Sequence, residues 1–307
     1  MSFSTPSMQP SFQRPPSRVA IRSVGSYGAD LRDVILETLG EFKPDVKGKS
    51  VLLKPNFVGA DPRRVMNTHP AVVAAARECF LELGASSVLV GEGPALERDT
   101  EAILEAIGLR EYLGRLDGTF VDLNVDDVRL VSLRTHASRM KKLYLPVTAL
   151  RTDFVVSMPK LKTHHWTGVT LSLKNMFGIV PGRCYGWPKN ILHWAGISKS
   201  ILDLNSTVRP DFAIVDGITG MEGDGPLAGQ PKATGILVLG DDAVAVDSTC
   251  TRAMGLLPER VAYLERAALF LGNLKEEKIM QVGEGLARVT RPFEVIPEFE
   301  NLKAKKA

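Results

Sequence analysis

Strand-like and helix-like segments alternate through the first hundred residues, and that alternation sharply limits the folds open to the chain. Lys49 to Leu53 is a short apolar run that halts at Lys54-Pro55-Asn56. A proline cannot donate to a sheet ladder, so the strand should end there. Thr68-His69-Pro70 reads as a helix start, with a hydroxyl cap and an early proline. The segment AVVAAARECFLEL continues it, with Val72, Ala76, Phe80 and Leu83 on one face and Gly84 as its stop. Ser87 to Val90 is the next strand, running into the turn Gly91-Glu92-Gly93-Pro94. Strand, helix and strand in this order form a right-handed crossover with parallel strands.

The same signals continue on both sides. VAIRSV after Arg18 is a first strand, and residues 30–39 carry Leu31, Val34, Ile35 and Leu39 at helical spacing. Asp99 caps a helix that stops at Gly108. Residues 119–144 alternate like strands, with a hairpin on the sheet edge as one arrangement. Asp211 to Asp216 and Thr234 to Gly240 are strands, Asp241-Asp242 caps a helix ending at Gly255, and a last helix spans Pro258 to Leu271. The expected class is α/β: two lobes of mostly parallel sheet flanked by helices, with a cleft between them. The lobes are expected at residues 18–150 and 151–298, between a Ser/Pro-rich tail at 1–17 and a solvated basic tail at 299–307.

Function is expected to concentrate in residues 153–194, where an apolar strand, Phe154 to Val156, turns abruptly polar. Lys160, Lys162, His164, His165, Lys174, Asn175, Arg183, Lys189 and His193 follow, interleaved with Gly, Pro and Trp. Open α/β sheets keep ligand sites at the carboxyl ends of their strands. Lys54 and Asn56 stand at another such end, so Lys54, Asn56, Lys160, Lys162 and Asn175 are candidates for anion binding. Crowded lysines lose basicity and serve as bases or nucleophiles, which nominates Lys174 together with His164 and His193 as catalytic residues. Trp166, Trp187 and Trp194 either wall this pocket or pack one lobe on the other. His69 is a helix cap or a ligand.

Acids are expected to join from the second half. Asp216, Glu222 and Asp224 fall in or beside the glycine run GITGMEGDGPLAGQP, read as a loop at a strand end, and Asp247 lies inside an apolar helix. With His164 and His193 they offer mixed nitrogen and oxygen ligands for a divalent transition metal. Three well-separated cysteines provide no CxxC pair, no iron–sulfur motif and no disulfide framework, which fits a reducing, cytoplasmic setting. A formal net charge of +3 on 307 residues is too mild to imply nucleic acid, and no apolar run is long enough to span a bilayer. A small anionic metabolite is the expected partner.

Several motifs, in order, resemble one family. They are KPNF at Lys54, THPAVV at Thr68, PKLKTH at Pro159, LKNMFG at Leu173, VDG at Val215, MEGDGPLAG at Met221 and AVD at Ala245. Together they resemble the Domain of Unknown Function 362 family over residues 50–285. Many members of that family carry ferredoxin-type cysteine runs, which implies a separate iron–sulfur protein as an alternative partner for this chain. A non-catalytic anion- or nucleotide-binding protein is a further alternative. The layout also resembles the lactate racemase family, which binds a nickel pincer nucleotide. That resemblance implies cofactor-holding roles for His164, Lys174 and His193, which flank Pro181-Gly182 in the family's order. The family's first-lobe Gly-His-Arg turn corresponds here to Gly91-Glu92-Gly93-Pro94, so a racemising histidine pair is not implied.

Overall fold

The computed structural model describes residues 14–28, 30–60, 65–114, 116 and 118–303. In chain order the strands are β1 (Ser17–Ser23), β2 (Ser50–Pro55), β3 (Ser87–Glu92), β4 (Phe120–Asp122), β5 (Val128–Ser132), β6 (Lys142–Pro146), β7 (Phe154–Met158), β8 (Lys160–His164), β9 (Gly168–Thr170), β10 (Phe212–Glu222), β11 (Gln230–Gly240) and β12 (Ile279–Gly283). All but β5 and β6 join one large sheet, whose main path runs β12-β1-β11-β10-β7-β2-β3-β4. β8 pairs with β10 and with β9 off that path, and β5 and β6 form a separate hairpin. The pairings are mostly parallel; β11 runs antiparallel to both its neighbours, and β9 to β8.

Central strands such as β2 and β7 are continuous apolar runs because helices cover both faces of the sheet. Successive side chains enter opposite layers: Ala213 and Val215 join one buried cluster, and Phe212 and Ile214 the other. The sheet also crosses the boundary expected near residue 150. β7 from the second half pairs with β2 from the first, and β1 lies between β11 and β12.

The crossover from β2 through the helix Pro70–Glu82 to β3 forms as the pattern predicts, with β2 and β3 parallel. Its cap is His69, one of the two roles expected for that residue, and not the Thr68 hydroxyl: the His69 ring accepts the Ala71 N–H at 3.2 Å, while the Thr68 hydroxyl donates to Met158 O at 2.7 Å. Asp99 and Asp242 cap their helices as expected.

Three expectations need correction. The glycine run after Asp216 is not a loop at its start, because β10 continues to Glu222 against β11. Glycine permits this close pairing: a Cβ on Gly217 or Gly220 would press on the backbone of Ile236 or Leu161. The helix expected over Pro258–Leu271 is a 3₁₀ turn, Pro258–Arg260, followed by the helix Ala262–Ala267. The tails are also tied down where they are described. Arg14 donates to Gly272 O, Pro297–Leu302 forms a 3₁₀ turn with Leu302 buried, and Lys303 pairs with Glu294 and Glu300. Residues 1–13 and 304–307 of the expected tails lie outside the described residues.

Candidate functional site

β7, β2 and β3 are parallel neighbours, so their carboxyl ends share one sheet edge. Beside that edge lies a pocket of about 220 Å³. Lys162 and His164 reach it from β8, and Lys174 from the one-turn helix Ser172–Asn175. His193 comes from Ile191–Trp194, and Asn56 from the segment after β2. Lys162 and His164 share a strand face by their spacing of two, which is why the short KLKTH run can deliver both side chains to one pocket.

The lysines differ in what they touch. Lys54 is fully buried and directs its ammonium to Glu92 Oε2 at 2.5 Å, Pro55 O at 2.7 Å and Asn175 Oδ1 at 2.9 Å. All three donors of the ammonium are thus committed. Asn175 is equally engaged, since its amide donates to Lys54 O and to Ser157 Oγ. Glu92 further accepts from the Phe57 and Gly93 N–H groups. Lys54 and Asn175 therefore build the floor, and neither is free to bind an anion as the sequence suggested. Gly178 lies directly over them, where any Cβ would run into the Glu92 carboxylate and the Lys54 ammonium.

Lys174 is the opposite case. Its ammonium has no hydrogen-bond acceptor or acid among the described residues; its contact is the Phe177 ring, at 4.2 Å from the centroid. Desolvation, with Lys54 as a second cause, pushes its pKa down to about 7. Lys162 donates to Met66 O at 2.7 Å, and desolvation followed by Lys160 and Lys174 holds its pKa well below the ordinary lysine value. Lys189, counted in the polar stretch but assigned no role there, is buried and donates to Gly93 O at 2.5 Å and Gly178 O at 3.2 Å. Burial pushes it too down to about 7, against an opposing pull from Glu92. No local pattern marks it; only the fold brings it under the turn after β3. Among the described residues lining the pocket, Glu92 is the one acid, and it is already paired with Lys54.

His164 and His193 are neutral rings. His164 Nδ1 accepts the Trp166 N–H at 3.0 Å, so the neutral ring carries its proton on Nε2. Desolvation and then Lys174 keep its pKa well below the usual histidine value, and the same causes push His193 down to about 4. His193 Nδ1 is buried without a hydrogen-bond partner. Trp166 borders these rings, 4.8 Å from His193 and 4.7 Å from His165 between centroids. It walls the pocket, whereas Trp187 packs under Arg98 and Trp194 is largely exposed.

The acids do not converge here. Asp216 is buried with Lys160 at 2.6 Å, accepts from Tyr27 at 3.0 Å and from the His69 N–H at 2.9 Å, and belongs to a neighbouring region. Lys160 lines a second pocket there with Tyr27 and His69. Glu222 pairs with Lys232, and the exposed Asp224 with His165. Asp247 accepts from the Ser172 and Leu173 N–H groups at 2.7 and 3.0 Å, holding the start of the Lys174 helix from behind. Burial raises its pKa to about 8.

The protein side chains do not by themselves build a metal site around His164 and His193. Nε2 of His164 is protonated because Nδ1 is engaged, and no group of three or more His, Cys, Asp or Glu side chains among the described residues is placed to hold a metal ion. The expectation that Asp216, Glu222, Asp224 and Asp247 complete a metal site is corrected by their separate pairings. No helix among the described residues is long and apolar enough to cross a membrane.

Comparison with known proteins places this site within a family. The curated "Thylakoid-associated protein sll1697" of Synechocystis sp. is 33% identical over 247 residues, covering 77% of this chain and 73% of that protein. The solved lactate racemase apoprotein from Thermoanaerobacterium thermosaccharolyticum overlaps 83% of this chain and 60% of its own at 14% identity, with a TM-score of 0.45. A protein from Thermotoga maritima overlaps 72% of this chain and 58% of its own at 16% identity, with a TM-score of 0.39. Both are loose likenesses of layout, and the chain spans less than two thirds of either structure. The family model described as "Domain of unknown function (DUF362)" matches residues 51–252, a span that carries β2 through most of the helix after β11 and every lysine of the pocket, and the chain belongs to that family.

Proposed function

We propose that this chain is an enzyme acting on a small carboxylate- or phosphate-bearing metabolite by lysine and imidazole acid–base chemistry. The supporting observation is Lys174: an amine at the pocket wall with no acid partner among the described residues, in a site whose one lining acid is already paired. An anion supplies the missing countercharge. Lys162 and Lys174 meet it, and Lys189 adds positive potential from below. With a pKa of about 7, Lys174 divides between amine and ammonium near neutrality, the condition for efficient proton transfer. The His164 Nε2–H is a donor for a developing negative charge, and neutral His193 is an acceptor.

Amine-directed acylation at pH 7, followed by peptide mapping, tests this reading. Lys174 should label well ahead of the exposed lysines, and inorganic phosphate or a short carboxylate should slow that labelling. Labelling of Lys174 no faster than the surface, with no effect of any anion, would remove the basis of the proposal.

The pH dependence follows from the lowered lysine pKa values. Anion binding favours the ammonium form, so affinity should fall as pH rises through about 7, where Lys174 loses its proton. Above that pH, binding should take up protons, because the bound anion raises the lysine pKa. Titration calorimetry in buffers of different ionisation enthalpy reads this directly; zero uptake at pH 8 would contradict it. We propose a reducing, cytoplasmic setting as well, which three free cysteines support.

A further inference from the structure

We infer that the ligand is an amphipathic anion, with its charged head on the buried amines and an apolar body lying against the mouth of the same pocket. This rests on the anion-binding reading and adds to it the half of the ligand that the lysines do not recognise.

Burial separates the two halves. The polar lining is deep: Lys162 is 1% exposed, Lys189 2% and Asn175 3%. The outer lining is apolar and open to solvent, with Leu96 at 46% exposure and Trp166 at 57%. Phe177 and Leu192, both buried, also line the pocket. About 220 Å³ is many times the room needed by one water. A phosphate or acetate ion at the lysines would therefore leave Leu96 and Trp166 facing water. Large exposed apolar side chains around a cationic floor signal a partner that covers both. The rings near the amines also suit a carbon body, since the Phe177, His193 and Trp166 planes meet edge to face.

The test is calorimetric titration of the full chain at pH 6.5 with acetate, butyrate, hexanoate and octanoate, and with inorganic phosphate, butyl phosphate and octyl phosphate. Each added methylene should tighten binding about 2- to 4-fold until the mouth is filled, consistent with the burial of one CH₂. The carboxylate and phosphate arms show which head is preferred. Octanol should bind at least about 10-fold more weakly than octanoate. Leu96→Ser should lower the octanoate-to-acetate affinity ratio, with unaltered thermal unfolding as the check on folding. Equal affinity across each series would overturn this inference while leaving the anion site standing. Binding of octanol as tight as octanoate, or no binding of any anion, would overturn both.

Discussion

Replacing Lys174 with methionine should abolish function while leaving the protein folded. The ammonium makes no hydrogen bond to the described residues, and methionine keeps the contact with the Phe177 ring. Thermal stability should therefore be unchanged or slightly raised near pH 6.5, since a desolvated cation is removed. Binding is another matter. A charge-assisted hydrogen bond between a largely desolvated ammonium and an anion contributes about 1.5–3 kcal/mol, so affinity for the anionic ligand should drop roughly 10- to 100-fold. Turnover should fall further, because the same amine serves as the proton acceptor. Lys174→Arg keeps the charge but cannot lose a proton near neutrality. It should retain much of the binding and none of the turnover. A Lys174→Met protein that binds anions like the parent would sink the assignment.

Glu92→Gln should be among the most destabilising single changes at the site. Its carboxylate lies 2.5 Å from a fully buried ammonium, and both side chains are out of water. Removing one member of such a pair leaves the other charged in a low-dielectric setting, at about 3–5 kcal/mol. Burial already lowers the Lys54 pKa, and Glu92 is what opposes that shift. Without Glu92 the folded-state pKa of Lys54 drops further below its unfolded value. The unfolded chain then binds more protons than the folded one across a wider window, so stability rises with pH over that window. The deficit of Glu92→Gln against the parent should be largest near pH 7 and narrow toward pH 10. Adding Lys54→Met should restore most of the loss, because two well-packed neutral groups replace a half-pair. Urea unfolding gives the readout; a deficit below about 1 kcal/mol, insensitive to pH, would mean that the pair carries little weight.

The two predictions show how differently two lysines of one sheet edge behave. Lys54 and Lys174 look alike in the sequence, each in a short run with an asparagine close by. Lys54 became structural because Glu92, 38 residues on, and Asn175, 121 residues on, converge on its ammonium. Lys160 has the same fate with Asp216 and Tyr27. Asp247, read as a ligand for a metal, instead supports Lys174 through the backbone of its helix. Lys189 was indistinguishable from its polar neighbours until the fold placed it beneath Gly93 and Gly178.

Local order was legible from residue patterns alone. Continuous apolar runs, capped amphipathic helices and glycine stops are short-range signals, and they identified the α/β class, the parallel crossover and the sheet edge that holds the pocket. The motif order identified the family. Tertiary structure alone decided which charges are neutralised and which face the cavity. An ammonium is free or committed according to acceptors brought from distant segments, and desolvation depends on how the layers close over it. Neither quantity is written in the spacing of the residues that carry the charge.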